Sequence, residues 1–234
     1  MKKIIFVLMA FGSVLTASAQ HLSLSVNGGA SIPTGGFSKG DYYDAASGFA
    51  GTGGHFNVTG TWWLKEHLGI TALVGYSRFG NKGTQSLADG YKEDSGTDST
   101  TLYRSGNNHS LSILIGPAYE LALCKGLTLQ LRALGGYTRT HLAGFRIFYE
   151  DYTDNAMAQR EASGGVFAWQ AGVGLAYHLT CKLSVQINGD FFMSKPDIAI
   201  SYDNFVVNSG RRLSAYNTAI SGVNVTAGVA YRVF

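Results

Sequence analysis

Apolar and polar residues alternate with a period of two along most of the chain. One segment places Leu129 and Leu131 on one side and Gln130 and Arg132 on the other. Seven further segments repeat the alternation, beginning near Leu22, Phe56, Ile70, Leu111, Trp169, Leu183 and Val223. Successive side chains of a β-strand point to opposite faces, so the pattern predicts eight strands, each with one apolar and one polar face.

Short and long connections alternate between these strands. Three short turns fall at 65–67, 124–126 and 180–182, and four long polar links at 33–47, 80–108, 142–164 and 196–216. This alternation is typical of an outer-membrane barrel whose termini face the periplasm. The sequence therefore predicts an all-β fold: a closed, antiparallel, up-and-down transmembrane β-barrel of eight strands, with the last strand paired to the first. A soluble β-sandwich is the structural alternative.

The long links are predicted to contain no helix. The segment 198–207 also alternates, so an extra hairpin that raises the strand number to ten stays open. Asp89, Glu93, Asp94 and Asp98 make the second link acidic, but they lack the order of a calcium-binding loop. We therefore expect a solvated, mobile loop there.

The N-terminus has the three parts of an export signal. Lys2 and Lys3 precede an apolar run at 4–15, and Ala17-Ser18-Ala19 has the small-x-small pattern of a cleavage site. Twelve apolar residues span only about 18 Å as a helix, too short for a membrane core of about 30 Å. The predicted division is a signal peptide at 1–19 and an outer-membrane barrel at 20–234.

Composition favours a lipid-facing exterior. Aromatic residues make up 12% of the chain and charged residues only 14%, against about 25% charged in a soluble protein. Aromatic residues recur near the predicted membrane boundaries, at Trp62, Tyr119 and Tyr177 on the turn side and Tyr76, Tyr137, Trp169 and Phe191 on the loop side. The net charge of +3 implies no nucleic-acid partner.

The polar faces of the strands are predicted to fill the barrel. An eight-stranded barrel is just wide enough for its own side chains. The expected luminal plug consists of Glu120, Gln130, Arg132, Gln170, His178, Gln186, Asn188, Asp190 and Asn224. We expect Glu120 to pair with Arg132, because buried charges need partners. Inward glycines such as Gly172 leave room for these side chains, and a gated ion path is the functional alternative.

No catalytic or metal site is predicted. His109 and Ser110 are the nearest candidates for a base and a nucleophile, but neighbours in a strand point to opposite faces. The six histidines show no metal-binding spacing. We therefore predict no enzyme activity, no cofactor and no metal. Cys124 and Cys181 end strands two positions apart, so we expect no disulfide between them.

The whole mature chain resembles the small outer-membrane β-barrel proteins of the OmpX and OmpA-transmembrane kind. The resemblance rests on the export signal, the eight segments and the closing Tyr231-Arg232-Val233-Phe234. It implies the outer membrane as location and the barrel-assembly machinery as a partner, with Tyr231 and Phe234 as the assembly signal. Phe234 departs from the pattern. Tyr231 and Val233 are on the side of the last strand that is predicted to face outward, whereas Phe234 is on the opposite side.

The loops are the predicted seat of any specific function. Arginines cluster at or above the outer rim, where guanidinium groups would reach lipopolysaccharide phosphates: Arg139, Arg146, Arg160, Arg211 and Arg212. Aromatic residues add contact surface: Tyr42, Tyr43, Tyr91, Tyr103, Tyr149, Tyr152 and Phe205. We predict a structural or surface-interaction role without catalysis, in contact with outer-membrane lipid and lipopolysaccharide. The extracellular ligand stays unknown, and a narrow channel for small solutes is the alternative.

Overall fold

Eight antiparallel strands close into a barrel, and five shorter strands form a second sheet outside it. The computed structural model describes residues 21–44, 46–65, 67–149, 157–204, 210–216 and 218–233. The barrel strands are β1 (His21–Thr34), β2 (Ala50–Trp63), β3 (Leu68–Asn81), β5 (His109–Cys124), β6 (Leu127–Leu142), β9 (Ala162–His178), β10 (Leu183–Ser194) and β13 (Ile220–Arg232). The second sheet contains β4 (Thr100–Arg104), β7 (Phe145–Tyr149), β8 (Met157–Gln159), β11 (Ile198–Asn204) and β12 (Gly210–Tyr216).

The eight-stranded, closed, antiparallel barrel is confirmed. Its strand order is β1-β13-β10-β9-β6-β5-β3-β2, and β1 closes the barrel by pairing with both β2 and β13. Asn27, for example, lies opposite Asn57 on one side and Gly228 on the other. Closure removes the free edges, so backbone groups of the wall are paired between strands, as lipid requires.

The outer wall of the barrel is apolar. Val173, Leu175 and Val225 expose 45–46% of their surface, and Val185 exposes 40%. Their sequence neighbours point inward, as the period of two predicts. The loop-side aromatic residues Tyr76, Tyr137, Trp169 and Phe191 are also exposed on this wall. An exposed apolar belt of this kind is stable in lipid and unfavourable in water.

The loop-side part of the lumen is apolar, which differs from the polar filling expected along its whole length. Leu73, Leu114 and Leu134 point inward from three adjacent strands and are almost fully buried. They join one cluster with Phe37, Ala50, Phe79, Ala168, Phe192 and Ile220. Phe37 comes from a short 3-10 helix at Gly35–Ser38, so the first long link supplies the top of this cluster.

The prediction of no helix in the long links was wrong. Helix α1 (Thr84–Ser95) lies in the second link, between Gly83 and Gly96, whose positive φ angles suit helix ends. Leu87 of this helix is buried with Phe145 and Ile147 of β7. Within the described ranges, no helix is long and apolar enough to cross a membrane.

The second sheet gathers three of the long links into one folded unit, called here the loop domain. Its order is β12-β11-β8-β7-β4, with α1 packed beside β4. The hairpin that the sequence left open at 198–207 forms between β11 and β12 but joins this sheet, so the barrel keeps eight strands. Residues 205–209, which include the end of that segment, lie outside the described residues.

Candidate functional site: the lumen and the folded loops

A buried ion pair crosses the turn-side part of the lumen. Arg132 Nε donates to Asp190 Oδ1 at 2.7 Å and its Nη2 donates to Oδ2 at 2.6 Å, while the two side chains are only 7% and 0% exposed. Arg132 lies on β6 and Asp190 on β10, with β9 between them. Gly172 of β9 faces this pair, and a Cβ there would collide with Asp190 Oδ1. The missing side chain lets the two charges meet.

The expected pairing of Glu120 with Arg132 was wrong. Glu120 lies opposite Gln130 in the ladder, and Gln130 Nε2 donates to its carboxylate at 3.1 Å. Arg132 lies opposite Ala118 and reaches across β9 to Asp190 instead. The prediction paired Glu120 with Arg132 because they lie on the two strands of one hairpin. Closure of the barrel brings β6 and β10 close in space instead.

Amide side chains form a hydrogen-bonded layer beside the ion pair. Asn27 donates to Asn57 at 2.8 Å, and Gln186 donates to Asn27 Oδ1 at 2.6 Å. Asn188 also donates to Asn27, at 3.3 Å. These residues come from β1, β2 and β10, so their contacts tie together strands that are distant in sequence. All four side chains are buried.

The remaining luminal residues lie at different depths. Gln170 is 2% exposed, and Asn224 accepts a hydrogen bond from Ser31 at 2.7 Å. His178 contacts the Ser184 hydroxyl at 2.8 Å near the turn side and is only partly buried, as are Glu120 and Gln130. Of the proposed assembly signal, Tyr231 is 48% exposed on the outer wall. Phe234 lies outside the described residues.

The acidic segment expected to be a mobile loop is helix α1, and the first link holds it in place. Tyr42 donates its hydroxyl hydrogen to Asp94 at 2.5 Å, and Tyr43 donates to Glu93 at 2.8 Å. The Tyr42 ring also packs edge-on against Tyr91 of the helix, with centroids 4.9 Å apart. Burial and the bond to Asp94 raise the pKa of Tyr42, and burial raises that of Tyr91.

A cavity of about 270 Å³, called here the loop chamber, lies under the loop domain. Its wall combines aromatic and aliphatic residues with polar ones: Tyr42, Phe49, Leu87, Tyr91, Phe145, Ile200, Tyr202 and Tyr216 line it together with Asp44, Arg104, Asn108 and Gln159. Burial raises the pKa of Tyr216 to about 12. Phe49 is held at a positive φ of 51°, and its backbone N–H donates to the Lys39 carbonyl at 2.8 Å. A strained conformation in a non-glycine residue is maintained by such surrounding contacts.

Arg104 of β4 reaches the chamber wall from the loop sheet. Its Nη1 donates to Asn81 Oδ1 at 3.0 Å, and its Nε is buried without an acceptor. None of the ion pairs among the described residues includes Arg104. Burial lowers the pKa of this guanidinium, since no neighbouring carboxylate compensates for the lost water.

A second depression of about 730 Å³, called here the outer groove, lies on the solvent side of the loop sheet. Tyr103 lies opposite Arg146 in the β4–β7 ladder and is 61% exposed. Arg160 is also exposed and donates to Asp203 at 2.8 Å. The groove therefore combines Arg160, which is paired with Asp203, the exposed Arg146 and the aromatic ring of Tyr103.

Two histidines stack on the outer wall at the loop-side rim, an arrangement that sequence reasoning missed. The rings of His109 and His141 are 4.6 Å apart, and Arg78 lies opposite His109 in the ladder. His141 contacts Ser163 Oγ at 2.9 Å and Glu161 at 3.6 Å. Only the register between strands brings these residues together, and spacing along the chain gives no indication of it.

The outward arginines divide between the rim and the loop domain. Arg139 is exposed on β6 below the histidine pair, while Arg146 lies in β7 of the loop sheet and Arg160 directly follows β8. Arg211 and Arg212 lie in β12, but their side chains are not described; Tyr152 and Phe205 lie outside the described residues. No group of three potential metal ligands occurs in the part of the chain that the structure covers.

No protein-family model and no curated protein matches this chain. Among solved structures, the fold is similar to that of a major outer membrane protein from Thermus thermophilus, with a TM-score of 0.50, 14% identity and coverage of 92% of this chain and 99% of that chain. The outer membrane protease OmpT from Escherichia coli is also similar, with a TM-score of 0.46, 12% identity and coverage of 91% of this chain and 95% of that chain. Ail, the attachment invasion locus protein of Yersinia pestis, has a TM-score of 0.43, 12% identity and coverage of 91% of this chain and 97% of that chain.

Proposed function

We propose that this outer-membrane β-barrel has a structural and surface-interaction role, carried by its loop domain, and that it catalyses no reaction. The observation that carries the proposal is the folding of the long links into one sheet and helix. Mobile loops would lose much conformational entropy on binding a partner, whereas a preformed surface loses little. The outer groove supplies an aromatic ring and the exposed Arg146 on this rigid surface.

A binding test can use the groove itself. The protein in lipid nanodiscs is titrated with a sulfated glycosaminoglycan as a polyanionic probe, and Arg146→Gln is compared with Lys125→Gln. Both variants lose one positive charge, but Lys125 lies in a turn at the opposite rim. We expect weaker binding only for Arg146→Gln. Equal affinity for the two variants and the parent protein would contradict a role for the groove.

We propose further that the luminal residues form a plug rather than a path for solutes. The burial of Asn27, Asn57 and Asn188, and the apolar cluster around Leu73, Leu114 and Leu134, support this proposal. Conductance in planar bilayers tests this proposal against the narrow-channel alternative. We expect no sustained openings; discrete, reproducible openings would favour the channel.

The proposed absence of catalysis is supported by the chemistry of the rim. His141, Ser163 and Glu161 are near one another, but Ser163 and Glu161 are exposed and the acid is 3.6 Å from the ring. Backbone N–H groups of paired strands are bonded in the ladder, so they do not supply an oxyanion hole. We expect no hydrolysis of p-nitrophenyl acyl esters. Hydrolysis that disappears in Ser163→Ala would overturn this part of the proposal.

The loop-side rim is proposed to contact lipopolysaccharide phosphates. Arg78 and Arg139 are exposed on the outer wall there, and His109 lies on the strand between theirs. Arginine binds phosphate with two parallel hydrogen bonds. Co-purified lipopolysaccharide should fall in the Arg78→Gln/Arg139→Gln double variant. The Lys65→Gln/Lys125→Gln variant, which changes the turn side by the same charge, should retain it.

Two steps of biogenesis are proposed from the ends of the chain. Removal of residues 1–19 would leave Gln20 as the first residue of the exported protein, which intact-mass measurement tests. Tyr231 and Phe234 are proposed to bind the barrel-assembly machinery. Replacing either residue by alanine should slow assembly into the outer membrane in cells while leaving refolding into detergent unchanged.

A further inference from the structure

Among the residues that the structure describes, the loop chamber contains one charged group without a counter-ion. Two of the described lining residues, Asp44 and Arg104, carry a charge at neutral pH. Asp44 accepts a hydrogen bond from Lys39 at 2.6 Å, so its charge is already compensated. Within the described ranges, Arg104 has the neutral Asn81 amide as its acceptor, and its Nε has none.

A half-buried guanidinium without a carboxylate partner is unfavourable. Removing a charge from water costs several kcal/mol unless a partner and hydrogen bonds replace the lost hydration. The same chain compensates the other buried arginine fully, because Arg132 makes two hydrogen bonds to Asp190. Arg104 differs in facing a cavity, and an anion in that cavity would supply the missing acceptor.

The other residues of the chamber wall indicate the chemistry and size of the rest of the ligand. Tyr91, Phe49 and Phe145 present ring surface, and Ile200 and Leu87 present aliphatic surface. A volume of about 270 Å³ corresponds to the space of about nine water molecules at roughly 30 Å³ each. Such a space suits a small ring with one substituent.

We propose that the loop chamber is a binding site for a small aromatic anion, whose anionic group is held by Arg104 and whose ring packs against the aromatic wall. Arg104 also borders the outer groove, but Phe49 and Tyr91 line the chamber and not the groove, so the proposal does not depend on the surface role proposed above. Nη1 stays bonded to Asn81, and the remaining N–H groups of the guanidinium are the donors that the anion would accept from.

Benzoate is the probe that tests the proposal, with benzamide as its neutral isostere and acetate as an anion without a ring. The protein in nanodiscs is labelled with 15N-arginine and 13C-tyrosine, and each compound is titrated while NMR shifts are recorded. We expect saturable shifts of the Arg104 Nε–H signal and of Tyr91 and Tyr216 with benzoate. Benzamide and acetate should each bind at least about tenfold more weakly, the loss expected for one charge-assisted hydrogen bond or one buried ring.

Arg104→Gln and Arg146→Gln separate the chamber from the outer groove. Arg104 borders both depressions, whereas Arg146 borders only the groove. Benzoate binding, read from the tyrosine signals, should weaken about tenfold or more in Arg104→Gln and remain unchanged in Arg146→Gln. Equal binding of benzoate and benzamide by the parent protein, or no saturable shift at all, would overturn the proposal. That comparison stands even if Arg104→Gln fails to fold.

Discussion

The barrel and the loop domain distribute polarity in opposite ways. In β10 of the barrel, Val185 is exposed to lipid and Gln186 is buried in the lumen. In β7 of the loop domain, Phe145 and Ile147 are buried and Arg146 between them is exposed. The two strands have the same alternation of apolar and polar residues. The surrounding solvent decides which face turns inward, because apolar groups face lipid in the first case and avoid water in the second.

This inversion changes what holds each interior together. The turn-side lumen is stabilised by charge-assisted and amide hydrogen bonds between strands distant in sequence. The loop domain is stabilised by packing of aromatic and aliphatic side chains around Leu87, Phe145 and Ile147. A substitution that removes a hydrogen-bonding partner in the lumen should therefore lower the free energy of unfolding. A change in tyrosine ionisation should instead weaken the packing of the loop domain.

The largest effect is expected from Asp190→Asn. Arg132 would keep its buried charge but lose the anionic partner, and breaking a buried pair in this way typically costs about 3–5 kcal/mol. Urea unfolding of the protein in lipid vesicles, followed by tryptophan fluorescence, measures the free energy of unfolding. A matched control is the double variant Arg132→Met/Asp190→Leu, which removes both charges. The double variant should recover most of the free energy of unfolding that Asp190→Asn loses. If Asp190→Asn were as stable as the parent protein, the ion pair would be dispensable for stability.

Charge on the outer wall is expected to have the next largest effect. Val173→Arg places a guanidinium near the middle of the lipid-facing wall, which should cost about 2–4 kcal/mol. Leu183→Arg makes the same kind of change at the turn-side end of a strand, where the expected cost is about 0–1 kcal/mol. The same unfolding assay compares the two variants. Similar costs at both positions would contradict the position of the membrane belt.

Gly172→Ala tests the space beside the ion pair. A methyl group there would collide with Asp190 Oδ1, and overpacking of this kind typically costs about 1–3 kcal/mol. Gly189→Ala is the matched control, because a Cβ at that position meets no atom within 4 Å. Loss of stability in the first variant alone, measured by urea unfolding, is the expected result. If both variants behave alike, Gly172 does not define the room for Asp190.

The smallest effect, confined to the loop domain, should appear at high pH. Burial raises the pKa of Tyr216 to about 12 and raises that of Tyr91 as well. A raised pKa means that folding favours the protonated phenol, so this contribution is complete below about pH 10 and is lost as the pH rises toward 12. The near-UV circular dichroism of the parent protein should weaken over that window. Tyr216→Phe should weaken less, and an identical pH profile would contradict the assignment.

The barrel fold can be predicted from the sequence alone. Eight alternating segments and the regular exchange of short and long links are local features, and the period of two assigns Leu131, Val173 and Val225 to one wall. The same parity assigns Asp190, Asn188 and Gln186 to the lumen, where all three are buried. These inferences succeed because alternation acts within each strand and lipid leaves only one arrangement of the two faces.

The partners of those inward residues were decided by the tertiary structure. Arg132 binds Asp190 across β9, and the stacked histidines meet through the register of β5 with β6. The loop domain is a further example: Leu87, Phe145 and Ile200 are separated by long stretches of chain, yet they enclose one chamber with Arg104. Spacing along the chain does not encode contacts that form only when distant segments pack together, because closure of the barrel fixes which strands become neighbours.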